Sequence, residues 1–200
     1  HLGASVKAIC CHPNGLNINH DCGSTHPEQL MAMVRQTDNA IGLAFDGDAD
    51  RLLAVDEEGI LLDGDQIMSI CAHYLLQKGC LTKQQMVVTS MSNLGLKLAM
   101  EKDNIRVFEA QVGDRYVLAK MLEIGAVMGG EQSGHIIFSE YNTTGDGLVS
   151  ALMLLSIMQE TGKSLKELAK IMVKMPQVLM NVPVKNKAWQ ESNAMLEAVK

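Results

Sequence analysis

Apolar residues fall along this chain in short runs divided by polar and glycine-rich turns. Ile41–Phe45, Leu52–Val55, Ile60–Leu62, Met86–Ser90, Arg106–Ala110, Ala126–Met128 and His135–Phe138 are brief aliphatic stretches between turn formers, which predicts strands. Other stretches follow a helical period. One helix is expected from Ser24 or Thr25 as cap to about Thr37, with Leu30, Met33 and Val34 as its apolar stripe. Asp63 caps a second, from Ile67 to about Gln77, closed by Gly79. Further helices are expected over Asn93–Lys102, Asp114–Glu123, Gly147–Gln159 and from the Ser164 cap to about Val173. Val6–Cys11 and Gln177–Val184 read as strand-like, and Glu191–Lys200 as an amphipathic connector. Strands joined by helices in this order predict an α/β fold of mixed, largely parallel sheets with helices packed on them. In such sheets the ligand-binding loops lie beyond the carboxyl ends of the strands.

The pattern breaks most sharply after Phe45. The run Asp46-Gly-Asp-Ala-Asp-Arg51 puts carboxylates at alternate positions, Asp46, Asp48 and Asp50, with almost no bulk between them. Three like charges gathered this closely need a cation, and hard carboxylate oxygens with room for water or phosphate suit Mg²⁺. Arg51 adds a fixed positive fork that fits phosphate oxygens. A solvated acidic turn is the plain alternative, and two sharper rival readings of the residues stand beside it. As an EF-hand, Glu57 falls at the closing ligand position, but Arg51 occupies the place where that loop needs glycine. As a phosphatase, Asp46 would be the nucleophile after a hydrophobic strand. His12, His20 and His26 are scattered and read as loop residues, and His73 as packed or half-exposed on its helix.

Composition narrows the classes. The 200 residues are 47% hydrophobic but only 4% aromatic, so the core is aliphatic and drawn partly from 14 methionines, which fill gaps flexibly. A formal charge of −6 argues against nucleic acid or an anionic membrane as partner. Five cysteines without a CxxC spacing suggest reduced thiols in the cytoplasm. No apolar run reaches membrane-spanning length. The chain opens on His1-Leu-Gly-Ala-Ser without an initiator Met, and is expected to be an internal piece of a longer polypeptide.

Two more loops carry polar groups at strand ends: Gln111-Val-Gly-Asp-Arg-Tyr116 and Gly129-Gly-Glu-Gln-Ser-Gly-His135. Glu131, Ser133 and His135 offer acceptors and donors suited to sugar hydroxyls. Together with Asp46–Arg51, and in this order, these loops resemble the α-D-phosphohexomutase family. Asn17–Pro27 and Thr143–Gly147 are similar to the phrasing of its glucosamine-phosphate branch.

The resemblance implies several expectations. The fold is of the family's domain 2/3 type, with residues 1–61 the end of domain 2, 62–176 domain 3, and 177–200 a linker toward domain 4. Mg²⁺ is held by Asp46, Asp48 and Asp50; the sugar is gripped by Glu131 and Ser133 with His135 beside them; Arg51 lies near the transferring phosphoryl group. The reaction exchanges phosphate between the 6 and 1 positions of a hexosamine phosphate, with mannose or glucose phosphate as the family's alternative, through a phosphoserine and a bisphosphate. The phosphoserine loop and the arginine-rich phosphate loop of domains 1 and 4 are absent from this sequence. The chain alone is therefore expected to be inactive.

Overall fold

A computed structural model describes residues 3–180. The first part is a small antiparallel sheet, β1 (Gly42–Phe45), β2 (Leu52–Val55) and β3 (Leu61–Leu62), in that order, with α1 (Glu28–Arg35) against it. The acidic loop is thus the connection of a β1–β2 hairpin, in which Phe45 pairs with Leu52. Gly42 sits where a Cβ would meet the Leu30 side chain at 2.8 Å, which lets α1 lie close on the sheet.

The second part is a four-stranded sheet in the order β5-β4-β6-β7: β4 (Gln85–Thr89), β5 (Arg106–Ala110), β6 (Met128–Gly130) and β7 (Ile136–Phe138). β4 pairs in parallel with β5 and β6, and β7 returns antiparallel on β6. The parallel pairing expected from the alternation therefore resides here. β4 is buried along its whole length because both its faces are covered. Met86 and Val88 join the main core with α2 (Gly64–Gln77), α3 (Leu94–Lys102) and α5 (Gly147–Thr161). Val87 points the other way, to Val117 and Met121 of α4 (Asp114–Ile124). The main core also takes in Leu52, Ala54 and Leu62, so the two sheets share one interior.

Helix starts follow the expected caps. Asp63 accepts from the Gln66 amide, Asn93 from Gly95, and Ser164 forms a capping box with Glu167 at α6 (Leu165–Ala169). Four expectations are corrected. Val6–Cys11 forms no strand; among the described residues no strand pairs with it, and Val6 is exposed. α1 has Pro27 at its cap, not Ser24 or Thr25, because Gly23–Thr25 closes its own 3-10 turn. The strand expected at Ala126–Met128 lies at Met128–Gly130, where paired glycines let backbones approach: a Cβ on Gly129 would sit 2.8 Å from the Val87 carbonyl oxygen. α6 stops at Ala169 because the chain beyond is bound elsewhere, Lys174 by Asp63 and Met175 by Asn93. Residues 177–180 carry no strand, and the rest of Gln177–Val184, with Glu191–Lys200, lies outside the described residues.

Candidate functional site

The carboxyl ends of β4, β5 and β6 face one edge, because the three strands run parallel. The loop after β6 carries Glu131 and Ser133. Glu131 Oε1 accepts the Gly113 amide from the loop after β5 at 2.9 Å, and the Ser133 hydroxyl donates to Glu131 Oε2 at 3.2 Å. Gly113, at φ +126°, takes a backbone conformation that favours glycine, which aims its N–H at the carboxylate. Glu131 is half-buried and Ser133 exposed, so the pair is held from below and open above.

The acidic loop meets this edge directly. The Leu52 amide donates to the Gly134 carbonyl at 3.1 Å, and Arg51 forms a β-bridge with His135. Gly134 has φ +96°, and a Cβ there would lie 2.3 Å from the Leu52 carbonyl oxygen. From the other side, the Gly64 amide donates to the Gln132 carbonyl at 2.9 Å. Gly147 donates to the Ala49 carbonyl, also at 2.9 Å, which ties the start of α5 to the acidic loop.

Within the loop, Asp46, Asp48 and Asp50 each bring a carboxylate oxygen within 4.8 Å of the others; among the described residues this is the one such group of potential ligands. The trio carries three negative charges against the one guanidinium of Arg51. Its Nε lies 3.6 Å from Asp46 Oδ2 and 3.7 Å from Asp50 Oδ1, and it makes no hydrogen bond there. Asp50 Oδ1 is likewise buried and has no hydrogen-bond partner among the described residues. Burial, and then the neighbouring Asp50 charge, push the Asp46 carboxyl above its ordinary range, although the Arg51 amide donates to it at 3.2 Å. Convergent oxygens, an orphaned acceptor and strained like charges fit a divalent cation.

The structure brings together six of the seven residues the sequence singled out: Asp46, Asp48, Asp50 and Arg51 in one loop, and Glu131 and Ser133 in the loop bonded to it. The seventh, His135, also lies at the junction. It is buried, its Nδ1 is 2.9 Å from Asp50 Oδ2, and its Nε2 accepts the Gly145 amide at 3.0 Å. Both ring nitrogens thus have partners, and the ring faces the acidic loop. The EF-hand reading also fails, because Glu57 accepts the Leu165 and Lys166 amides at the start of α6. The phosphatase reading is disfavoured by Asp46, whose side chain is 10% exposed and already bonded to the Arg51 amide.

Two contributors escaped the sequence reading. The Gly113 amide had no side-chain signal to betray it. Thr143–Gly147 offers no ligand side chain to read, whereas Gly145 and Gly147 each donate a backbone hydrogen bond to the site. Among the described residues no helix is long and apolar enough to cross a membrane.

Comparison with known proteins identifies the family and the fold. The family model for phosphoglucomutase/phosphomannomutase, alpha/beta/alpha domain III, matches residues 63–175. Phosphoglucosamine mutase of Clostridium novyi is 60% identical over 185 residues, which cover 92% of this chain and 41% of the relative. That of Pelotomaculum thermopropionicum is 57% identical over 199 residues, 99% of this chain and 45% of the relative. The chain thus spans less than half the length of these relatives. Among solved structures, a phosphomannomutase described as putative, from Thermus thermophilus, superposes with a TM-score of 0.66 at 27% identity, over 73% of this chain and 33% of that one. Aspergillus fumigatus N-acetylphosphoglucosamine mutase, solved with GlcNAc-6P and magnesium, superposes with a TM-score of 0.68 at 21% identity, over 85% of this chain and 40% of that one, and shows the fold alone. The chain belongs to the phosphoglucomutase/phosphomannomutase family, the α-D-phosphohexomutases that its loops resemble.

Proposed function

We propose that this chain carries the metal-binding and sugar-contacting loops of a phosphoglucosamine mutase, which interconverts glucosamine 6-phosphate and glucosamine 1-phosphate in the cytoplasm. One observation carries the reading: the Asp46–Arg51 loop and the Glu131–Ser133 loop are bonded to each other at a common strand edge, through Leu52 with Gly134 and Asp50 with His135. The glucosamine-phosphate assignment draws on the relatives at 57–60% identity. In this reading residues 1–61 close domain 2, 62–176 form domain 3, and 177–200 lead toward domain 4; the family match over 63–175 supports the middle assignment.

Each residue then has a task. Asp46, Asp48 and Asp50 would hold Mg²⁺, which when bound neutralises charge on a phosphoryl oxygen. Arg51, beside the trio, offers its guanidinium to a phosphate. Glu131 accepts from a pair of sugar hydroxyls, and Ser133, whose proton goes to Glu131, accepts from a neighbouring one. Because the Gly113 amide already holds Glu131, the carboxylate needs little reorientation to serve the sugar in either of two poses. Free cysteines, at positions 10, 11, 22, 71 and 80, accord with a reducing compartment.

The test is a chimera in which residues 1–200 replace the matching segment of the Clostridium novyi relative. It is expected to interconvert the glucosamine phosphates in preference to glucose or mannose phosphates, and to lose turnover of both on Glu131→Ala. The 200-residue chain alone is expected to show none. A folded chimera that prefers mannose or glucose phosphates, or that is indifferent to Glu131→Ala, would contradict the proposal.

A further inference from the structure

His135 is buried to 3% exposure against the acidic loop, and both of its ring nitrogens are committed. A backbone amide can only donate, so Nε2, at 3.0 Å from the Gly145 nitrogen, carries no proton. The ring proton is then on Nδ1, which donates to Asp50 Oδ2 at 2.9 Å. The other oxygen of that carboxylate, Oδ1, is buried without a partner among the described residues.

We infer that His135 is a positioning residue for Asp50: the Gly145 amide fixes the ring's tautomer, the ring holds Oδ2, and Oδ1 alone is presented to the cation. The inference rests on the metal reading above and deepens it. Metal ligands are commonly oriented by such outer partners, and here the usual order is inverted, with the carboxylate as ligand and the imidazole as its support. The packing around the ring admits little else. A Cβ on Gly145 would lie 2.5–2.6 Å from three ring atoms, so a glycine is needed for its amide to reach Nε2. The bond from Gly147 to the Ala49 carbonyl holds the same segment to the acidic loop from behind. The glycines of Thr143–Gly147 thus act on the metal loop without offering a ligand of their own.

The probe is Mn²⁺, titrated into the 200-residue chain and followed by electron paramagnetic resonance and calorimetry. His135→Ala is expected to weaken Mn²⁺ binding roughly 10–100-fold, the range typical of lost outer-shell partners. His135→Asn is expected to restore most of the affinity, because its amide can donate to Oδ2 from the Nδ1 position. Nitrogen-15 NMR of the unmutated chain is expected to show the Nδ1–H tautomer, a reading that needs no variant to fold. Wild-type affinity in a folded His135→Ala variant, or the Nε2–H tautomer, would overturn the inference and leave the metal reading standing. Absence of Mn²⁺ binding by the wild-type chain would overturn both.

Discussion

The two loops that meet at the site differ in how complete they are. The Glu131–Ser133 loop closes its own hydrogen bonds: Glu131 uses one oxygen on Gly113 and the other on Ser133. The acidic loop does not. Asp50 Oδ1 and Arg51 Nε are buried without partners among the described residues, and Asp46 is pushed up by burial and by its neighbour's charge. In the proposed reading the first arrangement would suit a neutral, hydroxyl-rich ligand. The second is unfinished without a positive charge. A fold can therefore hold one half of a site ready while leaving the other half dependent on what binds.

The contrast breaks most completely where the loops join. Gly134→Ala is expected to destabilise the chain by about 3 kcal/mol, since the new methyl would overlap the Leu52 carbonyl at an already left-handed φ. Urea unfolding measures this, and a shift below half that size would mean the loops can separate freely.

Next comes a carboxylate inside the four-stranded half. Asp65 is fully buried, and burial raises its carboxyl to about 6 even though the Asn93 amide donates to it at 2.6 Å. Because the folded state holds its proton more tightly than the unfolded chain, its contribution is present below about pH 4 and is lost as pH rises through about 6. The loss approaches about 3 kcal/mol at pH 8, from 1.36 kcal/mol for each unit. Asp65→Asn is expected to flatten this fall between pH 4 and 7 in denaturant melts. An unchanged pH profile would show that the charge is compensated after all.

Smaller effects refine the acidic loop. Without divalent cation, Asp50→Asn is expected to raise stability by about 1 kcal/mol through relief of like-charge crowding, and to abolish any stabilisation by added Mg²⁺. A variant that is less stable without metal would mean that the trio is not strained. Ala49 sits at φ +58°, and Ala49→Gly is expected to stabilise the chain by up to about 1 kcal/mol, read from the same melts.

Much of this was legible before any coordinates, and the reason is local chemistry. Leu52–Val55 and Arg106–Ala110 are strands with the expected bounds, and Asp63, Asn93 and Ser164 cap as their types predict. The convergence of the acidic trio was readable because alternate side chains in an extended loop point the same way. What could not be read depends on partners distant in sequence. Val6–Cys11 has a strand's composition, but a strand exists only when paired. Gly129 and Gly130 look like turn residues, yet they form strand because β4 and β7 press against them on both sides. His135 offers the same difficulty. Its type suits a sugar contact, and only the fold reveals Asp50 on one nitrogen and Gly145 on the other, 85 and 10 residues away in sequence.

The most direct measurement is paramagnetic broadening of backbone amide signals by substoichiometric Mn²⁺ on the 200-residue chain. The expected result is selective loss of the Asp46–Arg51 amides together with those of Glu131–His135, two stretches far apart in sequence that broaden together only if the cation sits at their shared edge. Broadening confined to Asp46–Arg51, or spread evenly over the acidic surface, would contradict the claim that the two loops form one site.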